Sequence, residues 1–120
     1  MNISQNEWQI MKELWKNSPL TLKQLCDSVG AEHGWTKHTI ISFLKRMEIK
    51  GSIKVEQTEK RKYFYPLIDE ANAALKETQN LTSKVYGGNK MLFVSNIVKE
   101  QELSAEEIDE LVTILNDRRK

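Results

Sequence analysis

Polar side chains that can donate hydrogen bonds recur between positions 36 and 46, and this stretch has the most distinctive chemistry in the chain. It contains Thr36, Lys37, His38, Thr39, Ser42, Lys45 and Arg46. Hydroxyl and imidazole groups are short enough to contact base edges in a DNA groove, whereas lysine and arginine side chains reach phosphates. The stretch therefore suits recognition of a nucleic acid.

A second basic group lies further along the chain, at Lys60, Arg61 and Lys62. Residues 35–65 hold eight basic and three acidic side chains, a net charge of +5, although the whole chain carries only +1. This concentration of positive charge favours a polyanion such as DNA as the binding partner. The alternative for this second group is an ordinary solvated turn that binds nothing.

Few residues offer chemistry for catalysis or for holding a cofactor. The single cysteine, Cys26, has apolar neighbours at helical spacing and is interpreted as a small core residue. One cysteine and two histidines exclude an internal disulfide and give little basis for a zinc site. The sequence has no glycine-rich phosphate loop, nucleophile elbow or HExxH motif. We expect neither enzymatic activity nor a metal or other cofactor.

The basic stretches must be positioned by helices, and the helix starts are readable. A capping-box pattern, in which serine or threonine is followed three residues later by glutamate or glutamine, begins at Ser4, Thr21 and Ser104. It predicts helices that start near positions 5, 22 and 105.

A further helix is predicted over residues 36–50 from its apolar spacing. Ile40, Phe43, Leu44 and Met47 follow the i, i+3, i+4, i+7 pattern of one buried stripe. The basic and hydroxyl residues then face outward. Ile41 lies beside the stripe, where it either widens the core or contacts a thymine methyl group.

Between Ile53 and Pro66 the apolar period changes to two residues, and the polar run at 58–61 interrupts it. This pattern predicts a β-hairpin with a charged tip. Three helices followed by a hairpin form a winged helix-turn-helix, in which the third helix enters a DNA groove and the hairpin forms the wing. We expect a loop from Val29 to Trp35 between the second and third helices.

Three more helices are predicted after the hairpin, the last two starting near Lys90 and Ala105. The predicted fold is therefore mainly α-helical with a small β-hairpin. It comprises a winged-helix DNA-binding domain at 1–68 and a helical dimerisation domain at 69–120.

The C-terminal helices carry more apolar residues than three short helices can enclose. The candidates for burial between two copies are Leu75, Leu81, Val85, Leu92, Val94, Ile97, Val98, Ile108, Leu111 and Leu115. A homodimer buries them economically and sets two reading helices about one DNA turn apart. The alternative is that these helices fold back on the N-terminal unit.

Four segments together resemble the penicillinase and methicillin-resistance repressor family of bacteria. They are SQNEWQIMKELW, WTKHTIISFLKRMEIKG, KVYGG and LSAEEIDELVTILND. The resemblance implies a dimeric winged-helix repressor of palindromic operators, including its own, in a β-lactam-resistance or related operon. It maps the family's reading positions onto Thr36, His38, Thr39, Ser42 and Arg46. Ile41 stands where the resistance repressors carry a basic residue.

The resemblance also implies how repression ends. In the family, a protease linked to a membrane sensor cuts the dimerisation domain, and the equivalent bond here is Asn96–Ile97. The alternative is that Asn96 is simply an exposed polar residue. Two alternatives stay open. The chain is a winged-helix regulator that direct binding of a small molecule releases from DNA, or it serves as a protein-interaction module.

The sequence contains neither a candidate transmembrane segment nor a signal region. Its longest apolar run is Met91–Val94, far below the roughly 20 residues that span a bilayer. We expect a cytoplasmic protein that does not insert into membranes.

Overall fold

A computed structural model describes residues 2–120 and shows a mostly helical chain with one antiparallel β-hairpin. The elements are α1 (Gln5–Asn17), α2 (Leu22–Leu25), a π-helical segment (Cys26–Gly30), α3 (Ala31–His33), α4 (Lys37–Lys50), β1 (Ile53–Gln57), β2 (Lys62–Pro66), α5 (Glu70–Tyr86), α6 (Lys90–Glu100) and α7 (Ala105–Arg119). The predicted fold class is confirmed. Within residues 2–120, no helix is both long and apolar enough to cross a membrane.

All three predicted capping boxes form, so these helices start where their local sequences indicate. At α1 the Ser4 amide donates to Glu7 Oε1 over 3.1 Å, and the Glu7 amide donates to Ser4 Oγ over 3.2 Å. The same reciprocal pair of bonds joins Thr21 to Gln24 at α2. A third pair caps α7 at Ser104. Each box satisfies amide groups that the first helical turn leaves without a partner.

The predicted loop from Val29 to Trp35 is wrong, because the backbone stays helical as far as His33. Gly30 lies inside this helix. A Cβ atom there would come within 2.9 Å of Ile40 Cδ1 on α4, so the close packing of the two helices favours a glycine. The helix ends at Gly34, whose φ of 69° suits glycine. Gly30, which falls within the predicted loop, is therefore a close-packing position in a helix.

A core of side chains from α1, α2, the π-helical segment, α4 and the hairpin holds α4 in place. Its buried members are Ile10, Met11, Leu14, Leu20, Leu25, Val29, Ile40, Leu44, Met47, Ile53 and Phe64. In the hairpin, Val55 pairs with Phe64. Phe64 also forms backbone hydrogen bonds to Leu20, at 2.8 and 3.2 Å. The wing is thereby fixed to the segment that precedes α2.

The chain divides into two compact units, Met1–Leu75 and Lys76–Lys120, and the division falls within α5. The first turn of α5 belongs to the first unit, and Ala73 in that turn is buried. The Trp15 indole also donates a 2.8 Å hydrogen bond to the Ile68 carbonyl. The units thus divide later in the chain than residue 68, while the functions assigned to the two parts stay predictions.

An ion pair between an exposed lysine and a buried glutamate fixes the C-terminal end of α4 to α1. Lys50 Nζ lies 2.9 Å from Glu7 Oε1, and Glu7 is only 1% exposed. Burial alone raises the pKa of the Glu7 carboxyl, but hydrogen bonds from the Lys50 ammonium and the Ser4 amide outweigh it. The pKa therefore lies below its ordinary value of 4.5.

We expect Glu7→Gln to lower the free energy of unfolding by about 1–3 kcal/mol at neutral pH, because the charge-assisted hydrogen bonds of the buried carboxylate are lost. Since the pKa is lower in the folded state, the carboxylate stabilises the fold above pH 4.5 and loses this effect as the pH falls through its folded pKa. Urea unfolding at several pH values measures the difference. Glu32→Gln, at an exposed carboxylate, is the control. A deficit that stays constant into acid would contradict the assignment.

Candidate DNA-binding surface

Two threonine hydroxyls at the N-terminus of α4 are hydrogen-bonded to each other. Thr36 caps the helix, and its Oγ1 accepts a 3.2 Å hydrogen bond from the Thr39 amide. The two Oγ1 atoms lie 3.0 Å apart, with either able to donate. Thr36 is exposed and Thr39 half-buried, so the pair has a defined position at the surface.

The outward face of α4 carries most of the residues that the sequence placed there. Lys37, His38, Ser42, Lys45 and Arg46 are all exposed. They belong to one helix whose opposite stripe is buried in the core, so they lie on a single surface.

Aromatic rings support the start of α4 and one of its cations. Trp35 stacks on His33 with ring centroids 4.7 Å apart and meets the edge of Phe43 at 5.1 Å. The Arg46 guanidinium carbon lies 5.5 Å from the Phe43 centroid, a favourable cation–π distance. Phe43 is only half-buried, so it stabilises Arg46 at the surface as well as packing against the core.

The tip of the wing is a compact turn that exposes three consecutive basic residues. The Thr58 amide donates to the Arg61 carbonyl over 2.8 Å, and the Arg61 amide donates to Thr58 Oγ1 over 3.1 Å. Lys60, Arg61 and Lys62 are exposed around this turn.

The eight basic residues between positions 35 and 65 fall into two groups, those in an ion pair and those without one, which the sequence alone does not distinguish. Lys50 pairs with Glu7, and Lys54 pairs with Glu56 at 2.8 Å. The hydrogen bond from Lys54 to Glu56 raises the pKa of Lys54 and lowers that of Glu56. In the part of the chain that the structure describes, the other six cations form no ion pair with the protein. They are Lys37, Lys45, Arg46, Lys60, Arg61 and Lys62.

Ile41 differs from the rest of the outward face because it is half-buried and lines a groove. This groove lies between α2, α4 and the hairpin, and its lining includes Leu22, Lys23 and Val55. Sequence reasoning missed these three residues. Tertiary packing brings them together from distant positions, and no local motif marks them.

The apolar residues assigned to dimerisation, all but Leu75 in the second unit, lie at the surface of the single chain. Leu111 is half-buried, and the others are between 43% and 60% exposed. Of the described residues in α6 and α7, none is buried. A surface this apolar is typical of a protein interface.

The bond between Asn96 and Ile97 lies inside α6. Asn96 is exposed, and its Nδ2 donates a 2.9 Å hydrogen bond to the Tyr86 hydroxyl. Tyr86 ends α5 just before Gly87 and Gly88, which have φ angles of 59° and 84°. The residue is thus accessible, although helical backbone surrounds the bond.

Comparisons with known proteins agree with these features. The family described as "Penicillinase repressor" matches residues 3–117. The methicillin resistance regulatory protein MecI of Mammaliicoccus sciuri is 30% identical over 116 residues, covering 97% of this chain and 94% of that protein. The penicillinase repressor of Bacillus licheniformis is 27% identical over 117 residues, covering 98% and 91%.

Among solved structures, the DNA binding domain of the repressor BlaI covers 59% of this chain and 87% of its own. The two are 27% identical, with a TM-score of 0.55. The resemblance inferred from the sequence is confirmed. The chain belongs to the penicillinase repressor family, whose members are transcriptional repressors rather than enzymes.

Proposed function

We propose that this chain is a dimeric repressor that binds palindromic operator DNA in the cytoplasm, in a β-lactam-resistance or related operon. The observation that carries the proposal is the set of six cations on α4 and the wing that form no ion pair in the described chain. Unpaired cations on two adjacent elements suit the phosphates that flank a groove. Lys50 and Lys54, in contrast, are already paired with Glu7 and Glu56.

In this proposal α4 lies in the major groove with its N-terminal turns against the bases. Thr36, His38, Thr39 and Ser42 contact base edges, where hydroxyl and imidazole groups donate and accept hydrogen bonds. Ile41 contacts a thymine methyl group with the part of its side chain that stays exposed.

The six free cations fix the position of the protein on the DNA. Lys37, Lys45 and Arg46 neutralise phosphates beside the major groove, and the Phe43 ring holds the Arg46 guanidinium in place. The wing places Lys60, Arg61 and Lys62 on the backbone or in the adjacent minor groove.

The second unit supplies the homodimer that this mode of binding requires. Its exposed apolar residues supply surface for an interface with a second copy. Two linked winged helices then bind two half-sites, and the second binding event becomes intramolecular.

We propose further that cleavage between Asn96 and Ile97, by a protease linked to a membrane sensor, ends repression. The cut would separate α7, with Ile108, Leu111 and Leu115, from the rest of the chain. The dimer would lose buried apolar area, and the two DNA-binding units would lose their linkage. The glycine pair after Tyr86 supports local opening of α6, which a protease needs in order to reach a helical bond.

Replacing a base-reading residue and replacing a phosphate-binding residue should affect DNA binding in different ways. Ser42→Ala is expected to reduce the preference for operator over random DNA by about 1–3 kcal/mol. Arg46→Ala is expected to weaken both DNAs equally and to lower the salt slope by about one unit. Fluorescence anisotropy at several salt concentrations measures both quantities.

Lys16→Ala is the matched control, because it removes an exposed cation of α1 that the proposal does not use. If Ser42→Ala and Arg46→Ala bind operator like the unaltered chain, α4 does not read DNA. If the unaltered chain binds no DNA, the proposed function fails and the alternative of a protein-interaction module is favoured.

A further inference from the structure

The groove beside the proposed DNA surface has an apolar floor and a volume of about 600 Å³. Leu22 of α2, Ile41 and Leu44 of α4, and Val55 and Phe64 of the hairpin supply this floor. Leu44 and Phe64 are buried, whereas the other three are half-buried and keep part of their apolar surface open to the groove. The core that fixes α4 thus leaves a gap between three elements.

The walls of this groove are fixed in place. Phe64 of the hairpin is hydrogen-bonded through its backbone in both directions to Leu20, just before α2. Leu25, Leu44 and Phe64 also belong to the same buried core. A ligand would therefore enter a preformed space and would not have to order a loop.

The lining of the groove is strongly unbalanced in charge. It includes the cations Lys23, Lys45, Arg61 and Lys62, and a single carboxylate, Glu48. Over residues 2–120 none of these five side chains takes part in an ion pair. Thr21 and Gln24, also in the lining, already bond to each other in the cap of α2. The free polar groups of the groove are therefore mainly cationic.

We propose that the groove binds an amphipathic carboxylate, with an apolar body on the floor and the carboxylate among these cations. An amine of the same shape would be repelled by the four positive charges, and a neutral analogue would gain no charge-assisted contact from them. A carboxylate gains charge-assisted hydrogen bonds while its hydrocarbon part is removed from water.

Occupation of the groove should compete with DNA. Lys45, Arg61 and Lys62 line the groove and also belong to the cations proposed to bind phosphates. A bound carboxylate neutralises them and places its charge beside the DNA path, so each ligand weakens the other. This coupling rests on the proposed function, whereas binding of the carboxylate in the absence of DNA does not.

The binding test uses the full chain and three probes of one shape: 4-phenylbutyrate, 4-phenylbutanol and 4-phenylbutylamine. Amide chemical shifts followed by NMR should saturate with 4-phenylbutyrate, with the largest changes at Ile41, Val55 and Phe64. The alcohol and the amine should bind at least about tenfold more weakly, since each lacks the charge-assisted contacts. Equal binding of all three probes, or changes confined to the second unit, would overturn the proposal.

A variant pair separates the groove from general surface charge. Lys23→Gln removes a groove cation that has no part in the proposed DNA surface, and Lys16→Gln removes an exposed cation of α1. We expect Lys23→Gln to weaken 4-phenylbutyrate binding by about threefold to tenfold and Lys16→Gln to leave it unchanged. Equal effects of the two variants would contradict binding in the groove.

The coupling is measured with a DNA duplex at constant ionic strength. Saturating 4-phenylbutyrate should weaken DNA binding, while 4-phenylbutanol at the same concentration should not. Carboxylate binding with unchanged DNA affinity would overturn the coupling. If the chain bound the carboxylate but no DNA at all, the proposed function would fail and the groove assignment would stand.

Discussion

A fragment of residues 1–75 is expected to fold as a monomer and to bind operator DNA at least about a hundredfold more weakly than the full chain. The fragment keeps the first compact unit, including the buried Ala73 and the carbonyl that accepts from Trp15. It loses the exposed apolar residues of α6 and α7. Each winged helix would then bind one half-site without a linked partner.

Sedimentation and circular dichroism give the assembly state and folding of the fragment, and titration with operator DNA gives its affinity. Leu115→Glu in the full chain is a second test, because it places a charge among the proposed interface residues without shortening the protein. Glu110→Gln, at an exposed charged position of the same helix, is the control. A fragment with full affinity, or a full chain that sediments as a monomer, would show that α5 to α7 do not form the dimer.

The second large effect is expected from cutting the chain after Asn96. A protein ending at Asn96 lacks the last turn of α6 and all of α7. It should bind operator DNA almost as weakly as the fragment of residues 1–75, because the dimer loses the apolar residues of both segments. In cells exposed to an inducer, mass spectrometry should detect fragments 1–96 and 97–120. Intact chain during full induction of transcription would contradict release by cleavage.

Asn96→Ala tests whether this side chain directs the cut. The substitution removes the side-chain amide and, with it, the hydrogen bond to the Tyr86 hydroxyl. This asparagine is the residue after which the family resemblance places the cut. We expect the variant to remain uncut and to keep repressing in the presence of inducer. Tyr86→Phe removes the same hydrogen bond but retains the asparagine, so it should still be cut. If Asn96→Ala were cut as fast as the unaltered chain, the bond would lie elsewhere.

Helix starts were predictable because they depend on neighbouring residues. The Ser4, Thr21 and Ser104 caps each satisfy amides within three residues, so the pattern and the structure coincide. The continuous helix to His33 was not predictable in this way. Gly30 normally indicates a break, and its role here depends on Ile40, a contact that only the packing of α4 creates.

The chemistry of the surface was only partly predictable for the same reason. Counting charges locates an excess of +5 in residues 35–65, but it does not show that Glu7 neutralises Lys50. The groove is a similar case, since Leu22, Ile41 and Val55 meet only when the wing is fixed to the segment before α2. The pattern of one helix face depends on residues that are close in the sequence. Ion pairs and cavities depend on residues that only the tertiary fold brings together.

Footprinting on the DNA upstream of this chain's own gene tests the central claim most directly. Two protected half-sites should appear as a palindrome, with centres about ten base pairs or a multiple of that apart. Excess random DNA at physiological salt should leave this protection in place, and Ser42→Ala should reduce it. Uniform protection, or protection that random DNA removes at equal concentration, would contradict a dimer that reads DNA through α4.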